Sequence, residues 1–283
     1  MVTGGSGSAS RRVGHRSSGY VQSVSTIRPP EPLHLEPYVS EPFKRSPLVL
    51  VAAQINYEEI GDLVHGQART IQKSLGSFWT ALQPANQVRF TITPSGPIQD
   101  TKTAYRLQSA DGLWAVMINS DSVAIETRAY DGWKDFAAIV TQAASAVSET
   151  LDPSQCLRLG LRYIDQVKLP DGKESWDGLI TDSVRGLVNS SRFGNAILGS
   201  DQRHLLLLDE DHTRCMFHHG LAEIDGEPPG STYLLDYDVF LDQPRAFEVD
   251  GIAAQAEVLH GYAGALFHVS IEPELHGWLK GDE

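Results

Sequence analysis

Residues 156–169 read CLRLGLRYIDQVKL, and this stretch decides how the rest of the chain is organised. Apolar residues alternate with arginine and other polar residues, which is the period of a β-strand with one buried face. The earlier stretch SPLVLVAAQINYEEI, residues 46–60, has the β-branched and apolar content of a long buried strand. A helix-like segment, further strands and a second helix follow each of them. We therefore predict two copies of one structural unit, residues 43–153 and residues 154–283.

In the first unit, apolar residues at helical spacing predict a helix from about Ile60 to Gln83. Alternating segments follow, and Asp111-Gly112 between two of them is a strong hairpin signal. The predicted strands are QVRFTITPS, AYRLQSA, LWAVMI and SVAIETRAY. A second helix is predicted after Asp131, and Asp152-Pro153 ends it.

The second unit repeats this order after its first strand. A helix is predicted over residues 174–190 and a final helix over residues 251–271. Between them lie predicted strands over residues 196–210, 212–224, 232–242 and 245–250. This element order resembles the TATA-binding-protein-like fold, in which helices cover one face of a curved antiparallel sheet. We expect an α+β protein in which two such units form a long saddle, although one fold carries many unrelated functions.

The composition suits a globular protein without disulfides. A chain of 283 residues with 41% hydrophobic residues can bury one large core or two ordinary ones. Cys156 and Cys215 are far apart in apolar strand-like segments, so we predict buried thiols rather than a disulfide or a zinc site. Neither a membrane helix nor a secretory signal is recognisable, so we expect a cytoplasmic protein.

The net charge of −13 is unevenly distributed along the chain. Residues 1–30 carry arginines but no acidic residue, a charge of +4, which leaves −17 for the rest. An acidic body repels a phosphate backbone and so disfavours nonspecific binding of nucleic acid. We predict a disordered tail over residues 1–42, which is basic and then rich in proline.

Several segments resemble a sporadically distributed family of uncharacterised bacterial proteins of about this length. They are SPLVLVAAQINYEE, YDGWKDF, LRLGLRYID, YLLDYDVF and LHGYAGALFHVSIEPEL, and the resemblance covers nearly everything after residue 43. The family's recurring features correspond here to Tyr130, Trp133, residues 160–164, Asp236, Asp238, His260 and Phe267. Family members usually have Asn where this chain has Asp165. The resemblance implies no established activity, and the sporadic distribution implies accessory genes such as toxin–antitoxin pairs or phage defence.

Arg158 and Arg162 are the first candidate binding residues. They are four residues apart on one predicted strand, so both side chains project from the same face. In an acidic protein, such a pair suits a carboxylate or phosphate group that binds through bidentate contacts. The alternative is that Arg162 pairs internally with Asp236 or Asp238.

Asp236 and Asp238 share one face of a later predicted strand. Two carboxylates at this spacing suit Mg²⁺ or Mn²⁺, or an acid–base pair. His212 and His218 are evenly spaced on the preceding strand and are expected to point the same way, which makes a histidine–carboxylate metal site a hypothesis. We take as ligand-binding candidates Arg158, Arg162, Asp236, Asp238 and His218, and assign no catalytic or metal-binding residue.

Other chemical motifs give little further direction. His260, His268 and His276 are eight residues apart, which places them on different faces of a helix. We expect His260 to be either partly buried and hydrogen-bonded or exposed at the surface, rather than catalytic. The sequence contains no nucleophile elbow, Walker-type loop, dinucleotide fingerprint or His-Glu-x-x-His motif. We therefore predict no cofactor.

These observations favour a non-catalytic binding or regulatory protein. We expect a protein partner or a small anionic ligand, as for an antitoxin, immunity or phage-defence factor whose acidic body covers a basic partner. One alternative is a metal-dependent hydrolase or nuclease-like enzyme that uses Asp236 and Asp238. Another is nucleic-acid binding across the tandem saddle, which the acidic body disfavours. A homo-oligomer stays open, and no membrane partner is expected.

Overall fold

A computed structural model describes residues 1, 29–36, 38, 42–93 and 96–282 of this chain. Residues 31–283 form a compact unit of their own. Much of the predicted tail, residues 1–42, lies outside the described residues. Among the helices of the described residues, none is both long enough and apolar enough to cross a membrane.

In each half of the chain, a long strand is followed by a short helix, a series of strands and a long helix. The first half contains β1 Leu48–Tyr57, α1 His65–Ser74, β2 Trp79–Thr93, β3 Gly96–Ser109, β4 Trp114–Ile118, β5 Ser122–Thr127 and α2 Trp133–Leu151. The second half contains β6 Gln155–Lys168, α3 Asp182–Arg185, β7 Gln202–Leu207, β8 Arg214–Ala222, β9 Thr232–Leu241, β10 Arg245–Ala246, α4 Val249–Ser270 and α5 Pro273–Lys280. Short 3-10 turns occupy Gly186–Asn189 and Gly194–Ala196.

The described strands join one large antiparallel sheet. Its order is β2-β3-β4-β5-β1-β6-β9-β8-β7, and β10 pairs with β6. The two long strands β1 and β6 are neighbours, with Ala53 opposite Leu161. The predicted boundary after Pro153 falls between α2 and β6. The predicted α+β class with antiparallel pairing is therefore confirmed, and the two halves share one sheet.

The core lies between one face of the sheet and helices α2 and α4. On β6, Leu159, Leu161 and Tyr163 are buried on this side, and α4 packs against β6 and β9. Arg158 and Arg162 lie on the opposite face, as the alternation of the strand predicts. One strand therefore presents an apolar surface to the helices and a charged surface on the other side.

The first helix is shorter than predicted. Helix α1 ends at Ser74, and Gly76 follows with a left-handed φ of 84°. A glycine in this conformation commonly ends a helix. Residues 79–83, which we predicted as helix, begin β2, and Pro84 lies within that strand opposite Tyr105. Apolar spacing alone did not separate the end of the helix from the start of the strand.

The helix predicted over residues 174–190 is wrong. Only Asp182–Arg185 is α-helical in this region. Gly178 and Gly186 have φ values of 71° and 51°, which a continuous right-handed helix excludes. Leu179 is nevertheless completely buried. The apolar pattern therefore indicated burial correctly and the type of structure incorrectly.

The end of the second half also differs from the prediction. The strand predicted over residues 245–250 is reduced to Arg245–Ala246, which pairs with the start of β6. Val249 already begins α4, so the final helix starts two residues earlier than predicted. Helix α5 was not predicted.

Candidate functional site

The predicted charged residues of β6 and β9 meet on the sheet face opposite the helices. Arg162 donates two hydrogen bonds to Asp236, from Nε to Oδ1 at 2.8 Å and from Nη2 to Oδ2 at 2.6 Å. Arg158 donates from Nη2 to both carboxylate oxygens of Asp238, at 3.0 and 2.9 Å. The residue directly opposite Arg162 in the ladder is Asp238, so Arg162 reaches diagonally along the sheet. The predicted arginines and aspartates thus satisfy one another.

The Arg158 side chain is held by its apolar surroundings as well as by Asp238. Its guanidinium lies 4.6 Å from the ring centroid of Phe240, within the range of a cation–π contact. It also lies over Gly160, where an added Cβ would overlap it. These contacts fix Arg158 flat against the sheet.

His218 is the fifth predicted residue of this cluster. Its Nδ1 lies 3.5 Å from Oδ2 of Asp236, and its Nε2 lies 3.1 Å from Oδ1 of Asp201. His212 precedes β8, is exposed and has a φ of 64°, so the strand alternation on which its placement depended does not extend to it. In the described part of the chain, no group of three or more His, Cys, Asp or Glu side chains is placed to hold a metal ion.

The charges of the cluster cancel internally. The hydrogen bonds with Asp236 raise the pKa of the Arg162 guanidinium, which is half exposed, whereas the Asp236 side chain is only 5% exposed. The guanidinium group of each arginine is therefore already paired with a carboxylate of the same sheet. An anionic ligand would have to compete with these aspartates. This internal pairing is the alternative that the sequence left open.

A second arrangement of polar groups lies on the helical side of the sheet. There a cavity of about 490 Å³ is enclosed by strands β1, β6 and β9, helices α2 and α4, and residues that precede β1. Its wall includes Tyr38, Tyr130, Trp133, Tyr163, Asp165 and His260. Cavities of about 300 to 1,000 Å³ commonly bind small organic ligands.

The cavity's Trp133 is placed by the start of helix α2. Gly132 precedes it with a φ of 149°, a backbone conformation that residues with a side chain rarely adopt. The Trp133 indole stacks on the His260 imidazole, with ring centroids 4.3 Å apart and an interplanar angle of 9°. Its Nε1 donates a hydrogen bond to Glu257. Trp133 therefore ties the first turn of α2 to the middle of α4.

His260 connects α4 to the sheet. Its Nδ1 shares a hydrogen bond of 2.9 Å with the Tyr163 hydroxyl, and the Tyr130 ring packs edge-on against Tyr163 at 6.0 Å. Burial lowers the pKa of His260 to about 4, so the imidazole is neutral at neutral pH. Of the two alternatives expected for His260, the structure shows the buried, hydrogen-bonded one.

Asp165 is the buried carboxyl group of this cavity. Its residue is only 6% exposed, and none of the residues described in the structure donates a hydrogen bond to its side chain. Burial, with a smaller contribution from the nearby charge of Asp236, raises the pKa of Asp165 to about 8. Asp165 is therefore largely protonated at neutral pH and has no side-chain hydrogen-bond partner among the described residues.

Residues before β1 form one wall of the cavity. The Tyr38 ring lies so close to Gly264 of α4 that any side chain at position 264 would overlap it. The Phe43 ring packs against Phe267, with ring centroids 5.8 Å apart. Arg45 then donates its backbone N–H to the Leu279 carbonyl at 3.0 Å. This segment is anchored to α4 and to the end of α5.

The candidate residues predicted from the sequence lie on the other face of the sheet, so they did not indicate this cavity. Tyr130 and Trp133 stood out only as features of the family resemblance, and His260 was assigned no functional role. The signal for Asp165 was present, because it follows Leu161 and Tyr163 at intervals of two and must therefore face the core. An acidic residue at a core-facing strand position is rare enough to mark a functional site.

Comparison with known proteins adds no assignment. No model of a known protein family matches the sequence, and no curated protein matches it.

Proposed function

We propose that this protein is a non-catalytic binding protein that holds a small organic molecule in the cavity between the sheet and helices α2 and α4. The observation that carries the proposal is the cavity itself, with a volume of about 490 Å³, aromatic walls and one buried carboxyl group. Ligand sites commonly combine an apolar, aromatic wall with a few polar groups that orient the ligand.

Two polar groups of the cavity wall, His260 and Tyr130, suit recognition better than acid–base catalysis. General acids and bases work best with pKa values near the working pH. The pKa of His260 is lowered to about 4, and burial raises that of Tyr130 to about 12. Both groups therefore keep one protonation state near neutral pH. They offer a ligand fixed hydrogen-bonding groups rather than exchangeable protons.

The proposal is tested by filling the cavity. Ala263 lines it from α4 and is 3% exposed, so the substitution Ala263→Leu places a larger side chain in the space a ligand needs. We expect small aromatic fragments that raise the melting temperature of the wild type to leave this variant unchanged. Val258→Leu is the matched control, because Val258 lies on the same helix but is 46% exposed.

Two results would contradict the proposal. One is a fragment library in which no member raises the melting temperature of the wild type. The other is a set of fragments that stabilise the wild type and the Ala263→Leu variant equally, since their site would then lie elsewhere. Ligand-observed NMR on the same proteins distinguishes binding from an indirect effect on unfolding.

A regulatory role with a protein partner, as in an antitoxin, immunity or phage-defence factor, is the wider proposal. Its support is the charge of the chain, because the body is acidic and suits a basic partner. The small-anion version has less support, since Arg158 and Arg162 already bind aspartates. The metal-dependent hydrolase has less support for the same reason, because Arg158 and Arg162 already pair with the carboxylates of Asp238 and Asp236.

We also infer a duplicated arrangement like that of the TATA-binding protein. It is supported by the strand order, in which β1 and β6, the first strands of the two halves, are neighbours. Outward from them, the strands of each half follow in reverse chain order, β5 to β2 on one side and β9 to β7 on the other. The sheet face that carries Arg158 and Arg162 would then be the surface for nucleic acid. Affinity for duplex DNA that falls steeply with salt would support this role. Absence of DNA binding at low salt would contradict it.

A further inference from the structure

We propose that the cavity selects organic cations, namely aromatic molecules that carry a protonated amine. The inference rests on the proposed function, because it names the class of ligand for the same cavity. It also departs from the small anion expected from the sequence, since the arginines behind that expectation lie on the other face of the sheet.

The charge of the wall is the first argument. No lysine or arginine is among the described residues that line the cavity, whereas Asp165 and Asp131 both line it. Asp165 is buried and Asp131 is exposed, which places one carboxyl group inside and the other at the rim. His260 carries no charge at neutral pH, because burial lowers its pKa to about 4. The wall therefore offers an anion no positively charged group, whereas its carboxyl groups can pair with a cation.

The unsatisfied carboxyl group of Asp165 is the second argument. A buried carboxylate is costly unless it is paired and hydrogen-bonded. None of the described residues supplies that partner, and burial instead raises the pKa of Asp165 to about 8. An ammonium group would provide both the opposite charge and the missing donor. Binding would thus replace the proton of Asp165 by the ligand's cation.

The aromatic wall is the third argument. The faces of tryptophan and tyrosine rings carry partial negative charge and attract cations. Trp133, Tyr130, Tyr163 and Tyr237 all line the cavity together with Asp165. One face of the Trp133 indole is covered by His260, which holds the ring in a fixed orientation. Aromatic side chains around a carboxyl group recognise a cation joined to an apolar skeleton better than a bare metal ion.

The test uses matched sets of amine, alcohol and carboxylate on one aromatic skeleton. Benzylamine, benzyl alcohol and benzoate are the smallest set, and larger skeletons extend it. Isothermal titration calorimetry on the full chain is expected to show the amine of a set binding about tenfold or more tighter than the alcohol, because a charge-assisted hydrogen bond is stronger than a neutral one. The carboxylate is expected to bind most weakly.

Asp165→Asn removes the charge while keeping the shape of the side chain. In this variant the amine should lose its advantage over the alcohol, whose own affinity should not change. Asp171→Asn makes the same chemical change at an exposed position outside the cavity and should alter amine affinity by less than about threefold, because water screens the charge.

The pH profile gives a readout that a merely structural role for Asp165 would not produce. Its titratable neighbours in and next to the cavity are Tyr163 on β6, Asp236 and Tyr237 on β9, His260 on α4, Tyr130 and Asp131 before α2, and Tyr38. His260 and Tyr130, with pKa values of about 4 and about 12, do not titrate between pH 6 and pH 8. Amine affinity should rise by up to about tenfold per pH unit over this range. The rise should be absent in Asp165→Asn.

The outcomes separate this inference from the proposed function. If alcohols or carboxylates bind as tightly as amines, and Ala263→Leu abolishes their binding, the cation preference is wrong and the binding function stands. If amines bind equally well to Asp165→Asn, Asp165 does not recognise the cation and the inference is also wrong. If no member of any set binds the wild type, both proposals are wrong.

Discussion

Arg162 and Asp236 form a two-pronged ion pair between β6 and β9, although the residue directly opposite Arg162 is Asp238. The pair is asymmetric in its exposure, because the Arg162 side chain is 49% exposed and that of Asp236 only 5%. Removing the arginine therefore leaves a nearly buried carboxylate without its main donor. The loss in stability therefore comes from the unpaired carboxylate of Asp236 rather than from the missing Arg162 side chain.

We predict that Arg162→Leu lowers the free energy of unfolding by about 2 to 3 kcal/mol, since a buried charged group is left unpaired. Urea denaturation followed by circular dichroism measures this change. The double variant Arg162→Leu, Asp236→Leu should recover most of the loss, because no unpaired charge remains. Equal stability of Arg162→Leu and the wild type would show that the pair contributes nothing.

The stability of the wild type should depend on the protonation of Asp165. Its folded-state pKa of about 8 lies above the ordinary value of 3.8, so between these values the folded protein keeps a proton that the unfolded chain releases. This contribution to stability is fully present below about pH 4 and is lost as the pH rises through about 8. The slope is at most about 1.4 kcal/mol per pH unit.

Asp165→Asn should remove this slope. We expect the difference in unfolding free energy between variant and wild type to shift in favour of the variant as the pH rises from 5 to 8. Urea titrations at several pH values measure it, and Asp131→Asn is the control. A difference independent of pH would contradict a raised pKa for Asp165.

His260 should produce the opposite trend at lower pH. Its folded-state pKa of about 4 lies below the ordinary value of 6.5, so the unfolded chain binds a proton that the folded protein excludes. The contribution of the neutral His260 imidazole to the free energy of unfolding is fully present above about pH 6.5 and is lost as the pH falls toward 4. His219, also lowered to about 4, acts in the same direction and is a matched comparison.

His260→Phe keeps a ring against Trp133 but cannot take a proton or bond to Tyr163. We predict a loss of about 1 to 2 kcal/mol at pH 7, from the lost hydrogen bond at Tyr163. The penalty should shrink as the pH falls from 6.5 to 5. A penalty that stays constant over this range would mean that His260 titrates normally in the folded protein.

The contact between Tyr38 and Gly264 can be tested by a double-mutant cycle. Gly264→Ala alone should destabilise the protein or displace the segment that carries Tyr38, because the added Cβ overlaps its ring. In a Tyr38→Ala background the same substitution should stabilise α4 by about 0.5 to 1 kcal/mol, the usual difference between alanine and glycine in a helix. Thermal denaturation of the four proteins measures the cycle. Additive effects would show that the two residues do not interact.

The alternation of polar and apolar residues determined which face of the sheet each side chain of β6 occupies. It placed Arg158 and Arg162 together, opposite the buried Leu159 and Leu161, and the structure agrees. The periodicity of α2 and α4 was also sufficient to locate both helices within a few residues. These features depend on local chain geometry, because a strand repeats every two residues and a helix every 3.6.

Only the tertiary structure decided which elements meet. It paired Arg162 with Asp236 rather than with an external anion, and it brought Trp133 of α2, His260 of α4 and Asp165 of β6 to one cavity. It also divided the apolar run after Ile60 between α1 and β2. Such outcomes depend on packing between distant segments, and neither periodicity nor composition encodes which neighbour a side chain receives. The sequence by itself therefore determined the two faces of β6, whereas the partners on each face came from the fold.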